Sequence, residues 1–370
     1  MKIAILGTRG IPANYGGFET FAEECAAGLV VRGHRVTVYG RSRYVPRSMK
    51  THRGTQLVVL PTLPWKYTDT VVHTCISILH AVFQGFDAIL ICNAANSIYA
   101  WIPRVFRIPV AVNVDGIERM RRKWNRAGKI YYQLSEYFST WFPNVIVTDA
   151  QVIGSYYRER YGAASVFIPY GARTEKSTRR ETLDGLSLAP GEYFLYVSRL
   201  EPENNAHVVV QAFEKVRTSK KLVVVGDAPY AAKYIESVRA TTDSRILFPG
   251  ALYGEPYRQL QTHAFCYIHA TEVGGTHPAL IEAMGQGNLI IANTTPENSE
   301  VLGGAGIMYR RNDPEDLSAR LQEVADHTDR YADLKSAALE RARAHYSWDS
   351  VVDQYEQLFE KLVRQRSRQA

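Results

Sequence analysis

The chain has 370 residues, too many for one ordinary hydrophobic core, and its length predicts two domains of about 150–200 residues each. Hydrophobic content of 46% and charged content of 22% are those of a soluble globular protein and set aside disordered and membrane-embedded classes. The net charge of +7 sits in the N-terminal half: residues 1–170 carry 20 Lys/Arg against 10 Asp/Glu, and residues 171–370 carry 24 against 27.

The first segment, MKIAILGTRG, reads as an apolar strand without the small-residue cleavage pattern of a signal peptide. The following turn, GTRGIPANYGGFET, places Gly16 and Gly17 directly before a helix predicted over 18–31, where a ligand can approach the backbone. Its glycines are not spaced GxGxxG, and the next strand ends in Tyr39-Gly40-Arg41 where a ribose-binding acid is expected, so a dinucleotide site is excluded. Strand patterns RVTVYG, LVVL, DAILIC, PVAVNV and NVIVTD follow, alternating with helical patterns, which argues for βα units around a parallel sheet. Asp69 to Cys92 is the longest apolar stretch, but His73, His80, Gln84 and Asp87 interrupt it, and a buried helix followed by a strand is expected.

Two basic runs, Arg41 to Arg53 and Arg119 to Arg126, have Tyr44 and Trp124 beside them and suit an anionic membrane surface, a phosphorylated acceptor or nucleic acid; solvated loop faces are the competing account. Asp115 and Glu118 follow PVAVNV, and Asp149 follows NVIVT. A carboxylate at a strand's carboxyl end can orient or deprotonate an acceptor hydroxyl, or simply cap the next helix. Tyr170 closes the first half. The polar stretch from Ala172 to Glu192 reads as a linker, after which YFLYVS, KLVVVGD, RILFPG, FCYIHA, LIIAN and GIMY repeat the same class of architecture. An amphipathic helix over 348–364 and a frayed basic tail end the chain. Cys25, Cys75, Cys92 and Cys266 lack CxxC spacing and read as reduced core thiols, and no His/Cys/Asp cluster has metal-ligand spacing. No GxxxxGK[ST] or GxSxG is found, which sets aside P-loop and serine-hydrolase chemistry.

The most informative stretch is His269 to Asn293, HATEVGGTHPALIEAMGQGNLIIAN. Gly274, Gly275, Thr276, His277 and Pro278 form a turn into a helix, leaving unpaired N–H groups and the positive end of the helix dipole for an anion. Thr276 or His277 can cap, and Pro278 suits the first turn. Glu282, one turn further in, can accept from sugar hydroxyls, and phosphate plus sugar hydroxyls means nucleotide; an ordinary Gly-rich strand-to-helix turn, common to all α/β proteins, is the competing account.

The pattern GG-x-E followed by L-x-x-x-G-H-x-V-x-V resembles the GT-B glycosyltransferases of the retaining family 4. The segment from Tyr196 to Asn205 is similar to that family's GRL-x-x-EKG loop, Leu222 to Gly226 to its L-x-I-x-G strand, and Gly274 to Glu282 to its E-x7-E element. The resemblance covers essentially the whole chain and implies two doubly wound Rossmann-like α/β domains facing a central cleft. It implies an acceptor-binding domain over 1–172, a nucleotide-sugar-binding domain over 173–346, and a helix over 347–370 crossing back to the first. Two positions depart: Gly274 replaces the first glutamate of the pair, and Asn204 replaces the diphosphate-binding lysine. GTRGIPANYGGFET, NVDGIERMRRKW, PENN and the GGTHPAL turn together resemble rhamnosyltransferases of bacterial capsule and cell-wall polysaccharide assembly.

The resemblance implies transfer of rhamnose from dTDP-rhamnose, with retention, onto a polyprenyl-diphosphate-linked saccharide at the inner membrane face, with no metal and no nucleic acid. A UDP- or GDP-hexose donor, or a non-catalytic binding subunit, is the alternative. The expected donor contacts are Gly16, Gly17, Arg199, Asn204, Gly275, Thr276, His277 and Glu282, with Arg199 stabilising the departing diphosphate. Asp115, Glu118 and Asp149 are the candidate acids and bases, and Arg9, Tyr170, Arg121 and Arg122 the candidate acceptor or cleft residues.

Overall fold

The computed structural model describes residues 1–14, 16–62, 69–121, 124–228 and 230–369. The chain divides into two compact units, Met1–Tyr170 with Trp348–Ala370, and Gly171–Ser347.

In the first unit, β1 (Lys2–Leu6), α1 (Gly17–Val31), β2 (Arg35–Arg41), β3 (Thr51–His52), β4 (Thr55–Leu60) and α2 (Asp69–Ala81) come first. They are followed by β5 (Ala88–Cys92), α3 (Trp101–Val105), β6 (Val110–Val114), α4 (Arg126–Ser139), β7 (Val145–Thr148), α5 (Gln151–Tyr161) and β8 (Ser165–Phe167). The sheet order is β3-β4-β2-β1-β5-β6-β7-β8, parallel throughout except for the β3–β4 pair. Strands β1, β5 and β6 are apolar and almost wholly buried, as strands covered on both faces must be. His73 and His80 are packing residues: His73 is buried against the Gly40 carbonyl and His80 is bonded to the Tyr39 hydroxyl.

The second unit runs α6 (Glu181–Gly185), β9 (Tyr193–Val197), α7 (Ala206–Phe213), β10 (Lys221–Val225), α8 (Ala232–Arg239), β11 (Ile246–Gly250) and α9 (Gly254–His263). Then come β12 (Cys266–His269), α10 (Pro278–Gly285), β13 (Leu289–Asn293), α11 (Pro296–Leu302), β14 (Ile307–Tyr309), α12 (Pro314–Asp326) and α13 (Ala332–His345). Its all-parallel sheet has the order β11-β10-β9-β12-β13-β14. Both sheets are wound outward in two directions, from β1/β5 in the first and β9/β12 in the second, and such switch points open a crevice at the carboxyl ends of the strands.

The stretch read as a linker is part of the second unit. Ser177 is bonded to Thr262 and Glu255, the Thr182 amide to Gln259, and Leu183 is the buried residue of α6. Ser177 and the Thr182 amide are thus spent on α9, while most of the other polar residues of the stretch are exposed. The last helix, α14 (Trp348–Gln369), packs on α1 in the first unit and continues through the basic tail that was expected to fray. The four cysteines are free, with Cys75 half-buried and the others in the core. Among the described residues, no helix is long and apolar enough to cross a membrane.

Candidate functional site

In the second unit the loops after β9 and β12, on either side of the switch point, carry the residues singled out from the sequence. Arg199 follows β9 and is half-buried; its guanidinium lies 3.7 Å from the Glu201 carboxylate, which also accepts from the Tyr230 hydroxyl. Asn204, at the position of the family's diphosphate lysine, is bonded within its own loop. Its Nδ2 donates to the Arg199 carbonyl at 2.6 Å, so the side chain shapes the loop that carries the arginine. The close approach of the β9 and β10 loops requires Gly226, because a Cβ there would lie 1.8 Å from the Ser198 carbonyl oxygen.

The Gly-Gly-Thr-His-Pro turn enters α10 as expected, with Pro278 in the first turn and His277 at the N-cap. His277 makes no side-chain capping bond. Its ring lies over Gly274, where a Cβ would come within 2.3 Å of Cε1, and packs at 4.9 Å against the ring of His269. His269 is buried, which lowers its pKa to about 3, so the ring behind the turn is neutral. Gly275 and Thr276 are buried within the turn.

Glu282 is held from α9: the Tyr257 hydroxyl donates to its Oε2 at 2.6 Å, and Gln261 Nε2 donates to Tyr257 at 2.9 Å. Burial and the adjacent carboxylate push the Tyr257 phenol well above its usual pKa, so it stays a donor. Behind these loops is an asparagine network that the sequence reading missed. Asn205 and Asn293 both donate to the Ala270 carbonyl, at 2.9 and 3.1 Å, and to Asn312 Oδ1, each at 2.8 Å. Asn298 ties Thr271 to Asn293. The available signal was an asparagine at the carboxyl end of three strands, in PENN after β9, LIIAN of β13 and RRND after β14. Buried amides bridging loops are the means of satisfying carbonyls that no strand can reach.

In the first unit, Asp115, Asp149 and Tyr170 follow β6, β7 and β8 at the same sheet end. Asp149 and Tyr170 are buried. The Tyr170 hydroxyl has no hydrogen-bond partner among the described residues, and burial, together with the charges of Asp115 and Asp149, holds it well above its usual pKa. Glu118 and Arg121 are not displayed to an acceptor: both are buried, 2.6 Å apart, with the Trp124 indole donating to Glu118 at 3.1 Å. An ion pair so enclosed supports its own loop. Arg122 lies outside the described residues. The turn after β1 is fixed by buried Glu19, whose carboxylate accepts the Arg9 amide at 2.9 Å, and the Arg9 guanidinium lies over the Tyr44 ring at 4.6 Å. Gly16 and Gly17 open α1, with Gly16 extended at its N-cap.

The basic run beginning at Arg41 is partly spent internally. Arg41 is buried against Asp69 at 2.6 Å, and Arg53 pairs with Glu24 at 2.8 Å.

Residues 16–171 match the family described as "Glycosyl transferase 4-like domain", and residues 191–327 the family "Glycosyl transferases group 1". The chain is 25% identical over 266 residues to a lipopolysaccharide 1,2-N-acetylglucosaminetransferase of Salmonella typhimurium, a match covering 65% of this chain and 68% of that one. In structure it is similar to sucrose-phosphate synthase from Thermosynechococcus elongatus, with a TM-score of 0.82, 17% identity and 98% of each chain covered. It is also similar to HepE of Anabaena in complex with UDP-glucose, with a TM-score of 0.80, 16% identity, and 98% of this chain and 100% of that one covered.

Proposed function

Since the chain belongs to the glycosyltransferases of the GT-B fold, we propose that it moves rhamnose from dTDP-rhamnose, with retention, onto a lipid-linked saccharide in cell-surface polysaccharide synthesis. The observation that carries the donor sugar is the pairing of Gly274 with His277: an imidazole ring fills the volume where the family pattern has a glutamate. A carboxylate there accepts from the hydroxyls of a hexose. A 6-deoxy sugar offers one hydroxyl fewer and a methyl group in its place, which suits a ring surface better than a buried charge. The lipopolysaccharide enzyme of Salmonella supports a saccharide acceptor of the same kind.

Transfer in this reading uses the donor's own phosphate. The acceptor oxygen bonds to the anomeric carbon as the bond from that carbon to the diphosphate breaks, and the acceptor proton passes to the departing phosphate oxygen. The protein positions both substrates and stabilises the charge on the leaving group, chiefly through Arg199 and the N–H groups near Gly275 to His277. Glu282, held by Tyr257, binds the nucleotide ribose. Asp115 and Asp149 face the acceptor hydroxyl, and no resident metal takes part, so chelation leaves turnover unchanged.

A second reading keeps the fold and takes a UDP-hexose; the UDP-glucose held by HepE favours it. Calorimetry with dTDP, UDP and GDP decides between them, and the absence of binding to any of the three refutes transfer altogether. The full reaction is tested with dTDP-rhamnose and lipid-linked N-acetylglucosamine. In it, Arg199→Ala lowers kcat by about 10²–10³-fold with the thermal midpoint preserved; unchanged turnover removes Arg199 from its assigned role.

A further inference from the structure

The first unit leaves three apolar helix stripes uncovered, and they adjoin. On α4 and just past its end, Ile130, Leu134, Tyr137 and Trp141 recur at spacings of four, three and four, which places them on one face, and all are exposed. The opposite face of the helix, with Tyr132, Ser135 and Glu136, is the buried one. Leu79 on α2 and Phe83 just beyond it form a second stripe, and Trp101 and Val105 on α3 a third. Phe83 and Val105 are 73% and 69% exposed and Trp141 is 65% exposed, and it is their gathering on one surface, not the exposure of any one of them, that marks an interaction face. The Phe83 ring meets that of Phe106 edge-on at 5.5 Å, joining α2 to α3. Arg104 on α3 donates to the Trp141 and Phe142 carbonyls at 3.1 and 2.9 Å, joining α3 to the end of α4.

The charge around this surface is predominantly positive. Between Leu79 and Asn144 there are eight Lys/Arg and four acids. Glu118 and Glu136 are buried against Arg121 and Arg119, Asp115 lies at the sheet end, and half-buried Asp87 accepts the Lys2 amide at 2.7 Å. Arg104, Arg107, Arg126 and Lys129 are exposed around the stripes.

We propose that the α2–α3–α4 face of the first unit docks on a lipid bilayer bearing anionic headgroups, with the aromatic side chains in the interfacial layer and the four cations on the headgroups. Trp and Tyr among aliphatic residues, ringed by Arg and Lys, are the composition that the bilayer interface selects. A second copy of the chain fits poorly, because a two-fold contact would set this cationic rim against itself. The surface is also coupled to chemistry. Trp124, whose indole bonds to Glu118 three residues past Asp115, packs against Tyr132 of α4 with ring centroids 4.8 Å apart, so the docking helix and the Asp115 loop are one packed piece. The assignment rests on the reading that the acceptor is carried by a lipid. It replaces the expected basic run at Arg41 with a different face of the same unit.

The test is sedimentation of the full chain with phosphatidylcholine vesicles, with and without phosphatidylglycerol. Binding is expected to the anionic vesicles, to weaken with salt as the surface charge is screened, and to fall about tenfold or more in Phe83→Ser/Trp141→Ser. Arg107→Gln/Lys129→Gln should weaken binding to anionic vesicles alone. The proposal is overturned if the wild type stays in the supernatant, if the first double variant binds as the wild type does, or if the chain is a dimer that this variant dissociates. Circular dichroism and thermal melts of the same proteins confirm that they are folded, and nucleotide calorimetry separates the two readings. Nucleotide binding and transfer to detergent-dissolved acceptor without vesicle binding removes this surface alone, whereas vesicle binding without nucleotide binding removes the transfer reading alone.

Discussion

Gly274 and His277 act as one steric unit. An alanine Cβ at 274 would meet the imidazole at 2.3 Å, and the ring cannot retreat far because His269 packs behind it. Gly274→Ala should therefore lower both the thermal midpoint and donor affinity, and His277→Ala should relieve only the part due to the ring in the double variant, the strain of a Cβ at φ +157° remaining. The expected coupling is about 0.5–3 kcal/mol, and additive effects in the double-mutant cycle would show that the ring does not depend on the glycine. Tyr170 makes the opposite case. A buried hydroxyl without a partner costs about 1–3 kcal/mol, so Tyr170→Phe should raise the thermal midpoint. If the hydroxyl is kept for a substrate, the same variant loses transfer activity while gaining stability, as a strained site would. A stabilised variant with full activity assigns Tyr170 to packing.

At the level of elements, α14 is fastened to the first unit by a mixture of shape and charge. Gly28 of α1 leaves room for Val352, the Asn113 amide donates to the buried Tyr355 hydroxyl at 2.6 Å, and Glu356 accepts from Arg32 at 2.9 Å and pairs with His34 at 2.6 Å. The bond to His34, then that to Arg32, holds Glu356 below the ordinary glutamate range. A depressed carboxylate stabilises the fold above its unfolded pKa, and that contribution disappears as pH falls through the folded one. The protection of α14 amides, relative to their intrinsic exchange rates, should accordingly fall on acidification below about pH 4.5, and Glu356→Gln should flatten that dependence. Identical profiles in the two proteins would place the acid-sensitive step elsewhere.

The repeated strand patterns, such as AILIC and LVVV, were legible because apolar runs bounded by Gly, Asn and Asp have few alternatives, and α1 and α10 were announced by the glycines before them. What could not be read was set by chain segments far apart. Tyr257 reaches Glu282 from another helix, Asn205 and Asn312 meet across 107 residues, and Arg121 turns inward to Glu118 although its basic neighbours suggest a surface. The polar segment at 172–192 looked like a linker because polarity does not distinguish a residue bonded to water from one bonded to α9.

For the molecule as a whole, the division of labour has a direct consequence. The proposed contacts to the departing diphosphate and the ribose, Arg199, the turn at 274–277 and Glu282, lie in Gly171–Ser347, while the basic excess and the uncovered aromatic stripes lie in the other unit. A ligand that binds the native state protects the backbone it contacts and stabilises the unit containing it by about 2.7 kcal/mol at a hundredfold excess over Kd. Saturating dTDP should therefore slow amide exchange at residues 199–205 and 274–282 and throughout the sheet they cap. The stripes on α2, α3 and α4 should exchange as they do without nucleotide. Anionic vesicles should do the reverse, slowing exchange along 126–139 and leaving 274–282 unchanged. In Arg199→Ala the nucleotide effect should shrink while the vesicle effect persists, because the arginine and the stripes belong to separate cores. If dTDP instead protects α4, or vesicles protect α10, the two surfaces are not independent and the assignment of donor to one unit and membrane to the other fails.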